Sequence, residues 1–449
     1  MAQDSRPIPR GPAWDATLGF RRRPYTYIAD ACRRRGADAV RTRLFLRPAV
    51  LMTGPEATRL FYDQNRFVRH GAMPPRPRIA LVGRGGVQGL DGEQHTLRKA
   101  AFVALVAPTR VAYLGRRFEE EMEQAASAWA TMERVDLYTQ SQRVLTRAVC
   151  DWAGVPLAAN EVAERSETLA AIFDGAGAIG PRYWRARRAR ARGRRWIEGL
   201  IRRVRDGEID PPAGSALRAF ATFEDTGGGL LSARDAATEV INVLRPTVAV
   251  SVDVVLVAHA LHEHPEWRAR LRAAGGGERD EFLRRFVQEV RRCYPFFPVV
   301  AARVRRPFEW HGLRFPEGRR VVLDLHGTNH DPRAWTNADT FDPARFAPGG
   351  EHAGKTTLEA AACPRGHDRD RYEFVPQGGA DATTHHRCPG DPIAVELMKV
   401  ATDWLARRLD YEIGPGDLSL NMSRLPALPR DGFTLAKVRV RREAGSDQG

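Results

Sequence analysis

The chain has 449 residues, 43% apolar and 28% charged, with a net charge of +15. That is apolar enough for a substantial core and ordinary in charge for a soluble protein; with lysine at only four of seventy basic positions (99, 355, 399 and 437), the surplus is an arginine bias that attracts anions in general, and no nucleic-acid reading motif accompanies it. Five cysteines (32, 150, 293, 363 and 388) are too scattered for a disulfide framework.

In chain order, DAVRTRLFLRPAVLM (38–52) predicts two short strands with Arg47-Pro48 at or near the turn. Pro55-Glu56-Ala57 opens a short helix through Tyr62. Residues 83–92, GRGGVQGLDG, are glycine-rich, but no GK[ST] follows and GxGxxG is absent. They read as a surface loop or as the lining of a ligand pocket. A helix beginning at Glu93 places His95 and Lys99 on one face, either solvated or set to meet an anion. Helical patterns fill most of the next 170 residues, including an arginine run within 183–206 that reads mostly as a solvated face.

From Ala236 to His262 the pattern is helical in length and apolar nearly all round, which predicts a buried core helix. Arg245, Pro246 and Asp253 interrupt it, so it falls short of a membrane span. Pro246 offers no N–H to the carbonyl of Asn242, and a kink or opening is expected there. Arg245 is a permanent cation in apolar surroundings and requires an anionic partner. That partner is either a structural Asp or Glu or the carboxylate of a substrate, which a guanidinium fork suits.

Glu289 and Arg292 are three apart on a helix ending before Pro295 and can pair. Short strands follow near 299–305, 313–316 and 320–325, then a loop-rich tract containing Pro343 and Arg345. Residues 347–370 are polar and glycine-rich, with a surface insertion at about 351–370, and the chain ends in a closing hairpin. Before that hairpin comes FVPQGGADATTHHRCPGD (374–391), one cysteine in a stiff loop that leads into an apolar helix. Helix N-termini favour negative charge, and a thiolate there is a good axial ligand for haem iron. A buried small residue is the plain alternative. Zinc on Cys363, His367, His385, His386 and Cys388 is another, although their spacing is not that of a zinc motif.

Glu289-x-x-Arg292, then Pro343-Ala-Arg345-Phe346, then a glycine-rich loop around Cys388 is an order that resembles the cytochromes P-450. The resemblance implies a mainly α fold with small β-sheets, spanning residues 1–449 as a single domain, with haem b between the long central helix and the cysteine loop. It makes Cys388 the iron ligand and Glu289, Arg292 and Arg345 a buried structural ion network. Arg245-Pro246 stands where ordinary members carry an acid–alcohol pair, and the cysteine loop is longer than usual. Both features, with FYDQNRF, QGLDG, QEVRRCYPFFP, LHGTNHDPRAW and SRLPALP, are similar to the bacterial fatty-acid peroxygenases. Departures are the 351–370 insertion, His385 where Gly or Asn is common, and Val82 where Phe is common.

That resemblance implies hydrogen peroxide as oxidant, no redox partner, and hydroxylation of a fatty acid at the α or β carbon. The substrate's own carboxylate, held by Arg245 beside Pro246, would move the proton that peroxide heterolysis needs. Gln88 matches a position that is Gln in members that mainly hydroxylate and His in one that mainly decarboxylates. His95 and Lys99 match residues that contact haem propionates. Alternatives are decarboxylation to terminal alkenes, oxidation of another carboxylic acid, a redox-partner-dependent monooxygenase, and an arginine-rich binding module or zinc protein. Neither nucleic acid nor a membrane is expected as a partner, and the expected location is cytoplasmic, since the N-terminal residues show no signal peptide or anchor.

Overall fold

The computed structural model describes residues 6–175, 177–350, 352 and 372–441. The expected insertion at about 351–370 therefore lies, apart from His352, outside the described residues. Helices dominate, with three small sheets set against them. The five-stranded sheet runs in the order Ala39–Leu44, Arg47–Thr53, Arg320–Asp324, Val299–Val304, Phe67–Val68. Leu44 pairs with Arg47, so the hairpin turn is Phe45-Leu46, just ahead of Arg47-Pro48. Pro48 is accommodated because the ladder on the other side of its strand begins only at Ala49. The closing hairpin pairs Leu409–Ile413 with Thr434–Val440, and Arg134–Asp136 adds to its far edge.

The central helix spans Ala233–Glu263, longer than expected at both ends. Ser232 caps it by accepting the Asp235 N–H at 3.0 Å. It packs against the helices Leu137–Trp152, Pro181–Arg205 and Asp391–Asp403. Among the described residues it alone is long and apolar enough to cross a membrane, yet 94% of that apolar window is buried, as a core helix requires. The helix continues through Pro246 rather than stopping there. At the next residue, the Thr247 hydroxyl donates to the Val243 carbonyl at 2.9 Å. The half before Arg245 faces the 78–92 segment, and the half after it faces the start of the cysteine loop.

Candidate functional site

The loop before the last long helix is held from several directions. Val375 N–H donates to the Asn329 side chain at 2.7 Å, and Cys388 N–H donates to the Gln377 carbonyl at 3.1 Å. Gly378 has φ +98°, and a Cβ there would sit 2.5 Å from the Tyr62 hydroxyl, so glycine is required twice over. Gly390 N-caps the helix Asp391–Asp403, and the Cys388 sulfur lies about 3.7 Å from where a Gly390 Cβ would be. Cys388 is exposed, whereas Cys32 and Cys150 are buried; the reading of Cys388 as a packed small residue is therefore set aside. It lies within electrostatic reach of three buried cations, Lys99, Arg245 and Arg291.

Below the loop, Arg291 and Arg387 both engage Asp391, Arg387 at 2.8 Å, and so fasten the cysteine turn to the helix Gly276–Cys293. In the same helix Arg292 grips Glu289 through Nε at 2.8 Å and Nη2 at 2.7 Å. Arg345 reaches the same carboxylate at 3.4 Å, and the Asp342 N–H donates to it at 2.8 Å. Arg292 also donates to the Asn329 carbonyl at 3.0 Å, and Asn329 is the residue that holds Val375. The three network residues thus lie together, one hydrogen-bonded link from the cysteine loop.

His95 and Lys99, open to a solvated reading from sequence, are both buried. Lys99 donates to the Arg387 carbonyl, and burial lowers its ammonium to about 8. His95 stacks on His386 with ring centroids 3.9 Å apart; burial, His386 and Lys99 together push it down to about 3. In these surroundings His95 is buried beside Lys99 and can offer a ring N–H to an anion. Sequence reasoning missed a third member of this rim, Arg69. Half-buried, its guanidinium lies over Phe61 at 4.1 Å, donates to the Ala301 carbonyl at 3.3 Å, and is lowered to about 10 by desolvation.

Above the cysteine stands Arg245, 7% exposed, with no carboxylate within ion-pair reach among the described residues and no hydrogen-bond partner for its Nε. Burial lowers it to about 10, and the charge it feels most is that of Cys388. Of the two partners that sequence left open, the structural Asp or Glu is not present among the described residues. Gln88 lies on the facing segment, where its Oε1 accepts from Asn242 at 3.3 Å.

Asn242 belongs to a buried cluster that sequence reasoning did not find. Asn242 also donates to Glu239 at 3.0 Å, and Glu239 accepts from the Val87 N–H at 2.8 Å and from Arg98 at 3.2 Å. Arg190 donates to the carbonyls of Val82 at 2.8 Å and Leu81 at 3.3 Å, and to the Asn242 side chain at 3.3 Å. A Cβ on Gly83, φ +84°, would meet the Arg190 guanidinium at 2.4 Å. Burial, then the charge of Arg245, lowers Arg190 to about 9. Arg98 is also paired with Asp225 at 3.1 Å, so the three arginines of this region, Arg98, Arg190 and Arg245, face two carboxylates and favour one further negative charge.

The donor set fits haem: a soft, accessible thiolate from Cys388 beneath, and Lys99 and Arg69 at the rim as cations for two carboxylates. Among the described residues no cluster of His, Cys, Asp and Glu could hold a metal ion. Cys363 and His367, two of the zinc candidates, lie outside the described residues.

Comparison with known proteins gives a consistent set of likenesses. The family profile described as "Cytochrome P450" matches residues 279–435. The solved structure of cytochrome P450SP alpha (CYP152B1) in complex with (R)-ibuprofen is 42% identical, with TM-score 0.87 over 95% of this chain and 99% of that one. Cytochrome P450EX alpha (CYP152N1) with myristic acid is 36% identical, with TM-score 0.88 over 97% and 100%. A variant of cytochrome P450 OleT in complex with arachidonic acid is 28% identical, with TM-score 0.89 over 98% and 100%. Among curated relatives, cytochrome P450 4A22 of Homo sapiens is 26% identical over 231 residues, 47% of this chain. The match spans 40% of that relative's length.

Proposed function

Since the chain belongs to the cytochrome P450 family of haem-thiolate oxidoreductases and resembles its CYP152 members over nearly its whole length, we propose that it is a fatty-acid peroxygenase. It takes hydrogen peroxide as oxidant and hydroxylates the α or β carbon, with residues 1–449 forming one domain. The observation that carries this reading is Arg245, a buried cation facing Cys388 with no protein carboxylate to neutralise it among the described residues. A fatty-acid carboxylate completes the pair with two parallel hydrogen bonds to the guanidinium.

Haem held by Cys388 supplies the oxidising chemistry, to which thiolate donation contributes by favouring O–O cleavage. The chain's own residues hold and orient the substrate. Arg245 fixes the carboxylate above the cysteine side, so that this carboxylate can relay a proton between the peroxide oxygens. The same clamp brings the first carbons of the acid, not its far end, over the reacting face. Glu239 cannot substitute as proton carrier, because Arg98, Asn242 and the Val87 N–H already occupy its oxygens. Gln88, tied to Asn242, offers an amide where a titratable histidine would favour loss of the carboxylate, which supports hydroxylation over decarboxylation.

The test is turnover of a long-chain fatty acid with hydrogen peroxide alone, read by mass spectrometry. Hydroxy acid formed without any reductase is the expected result. No product from protein with an intact haem spectrum would overturn the reading in favour of another acid or a redox-partner monooxygenase.

A further inference from the structure

Among the described residues ten large apolar side chains are exposed, and four of them share one patch at the hairpin Ala39–Leu44/Arg47–Thr53: Trp14, Leu18, Phe45 and Leu46. Phe45 and Leu46 form the two-residue turn, with φ of +55° and +61°. Such a turn asks for Asn-Gly, because both central residues adopt the left-handed conformation. A phenylalanine and a leucine there, 54% and 68% exposed, are chosen neither for the turn nor for the core.

The backbone at the tip is already satisfied from within. Phe45 N–H donates to the Thr17 hydroxyl at 2.5 Å, and Leu46 N–H donates to the Asp15 carboxylate at 2.8 Å. Arg43 lies over the Trp14 ring at 4.3 Å, which joins the turn to the N-terminal segment as one surface. Arg21, Arg22, Arg41, Arg43 and Arg47 lie on the same elements, and none has an ion-pair partner among the described residues. Against them stands Asp15, engaged by the turn.

We infer that this patch is a peripheral contact for an anionic lipid surface, with the Phe45-Leu46 tip entering the headgroup–acyl boundary and the arginines held at the phosphates. An apolar tip ringed by cations is the pattern that binds such surfaces. A tip with satisfied N–H groups enters an apolar layer without the penalty of unpaired donors. Arginine stems can lie along the apolar layer while the guanidinium stays at the surface. The inference departs from the sequence-based expectation of no membrane partner, and it stands independently of which oxidation the protein performs.

The experiment is co-sedimentation of the full-length holoprotein with vesicles of phosphatidylcholine alone or mixed with phosphatidylglycerol. The mixed vesicles should capture the protein, the neutral ones much less, and added salt should weaken capture. The double variant Phe45→Asn/Leu46→Gly installs the preferred turn residues, so its thermal midpoint should not fall while its vesicle affinity drops about tenfold or more. Three results would overturn the inference: no capture of the wild type, equal capture of the double variant, or concentration-dependent self-association that the double variant abolishes. The last would make the patch a contact between copies of the chain.

Discussion

Replacing Arg245 with methionine should make the protein more stable and inactive at once. The guanidinium is 7% exposed, and its folded-state pKa falls from 12.5 to about 10, chiefly by burial. A depression of that size corresponds to roughly 3 kcal/mol of unfavourable burial. The sign follows from linkage: a cation whose folded pKa is lowered carries its full penalty at any pH below about 10, and the penalty fades as pH climbs toward 12.5. Methionine fills similar volume with no charge, so Arg245→Met should raise the urea midpoint throughout the neutral range and the melting temperature by a few degrees. Saturating fatty acid should stabilise the wild type by about 3 kcal/mol at a hundredfold excess over Kd and leave the variant unchanged. Peroxide-driven turnover should disappear. A variant destabilised by about 3–5 kcal/mol, the usual cost of breaking a buried pair, would refute the reasoning, because Arg245 would then have a structural counter-charge.

Cys388→Ala should abolish the reduced-CO absorbance band typical of a thiolate-ligated haem; a retained band would remove Cys388 as the ligand. Gln88→His should raise the share of terminal alkene among the products, and an unchanged product ratio would mean that this position does not steer the outcome. Asp253 is buried with no hydrogen bond among the described residues and is raised from 3.8 to about 7 by burial, only partly offset by Arg291. A carboxyl with a raised folded pKa lowers stability as pH rises from about 4 to about 7. Asp253→Asn should therefore flatten that loss and gain up to about 4 kcal/mol at pH 8, seen as converging urea midpoints at pH 5 and pH 8. Parallel pH profiles for the two proteins would count against it.

What could be read from the sequence depended on how local the signal was. An apolar run interrupted by Arg245 and Pro246 marks a core helix because the period and the anomaly lie in one stretch. Glu289 and Arg292 are legible for the same reason, being one helical turn apart. The Arg98–Glu239–Asn242–Arg190 cluster is not, since Arg98 and Glu239 meet across 141 positions. Arg190 was hidden inside an arginine run, most of which is a solvated face. A signal was available: Ala186, Ala189, Gly193 and Ile197 share its buried side, a stripe of mostly small residues at helical spacing. His95 and Lys99 are buried because the cysteine loop folds over them, a contact no local period encodes.

Arg190 has a consequence for how this protein can change. Leu81 and Val82 meet it through their carbonyl oxygens, not through their side chains. A roof held by its peptide groups tolerates replacement of the side chains that hang from it. Val82 is held in this way, so its side chain can be exchanged while its carbonyl stays on Arg190. Side chains along this strip can thus vary without disturbing the frame that Arg190 holds together.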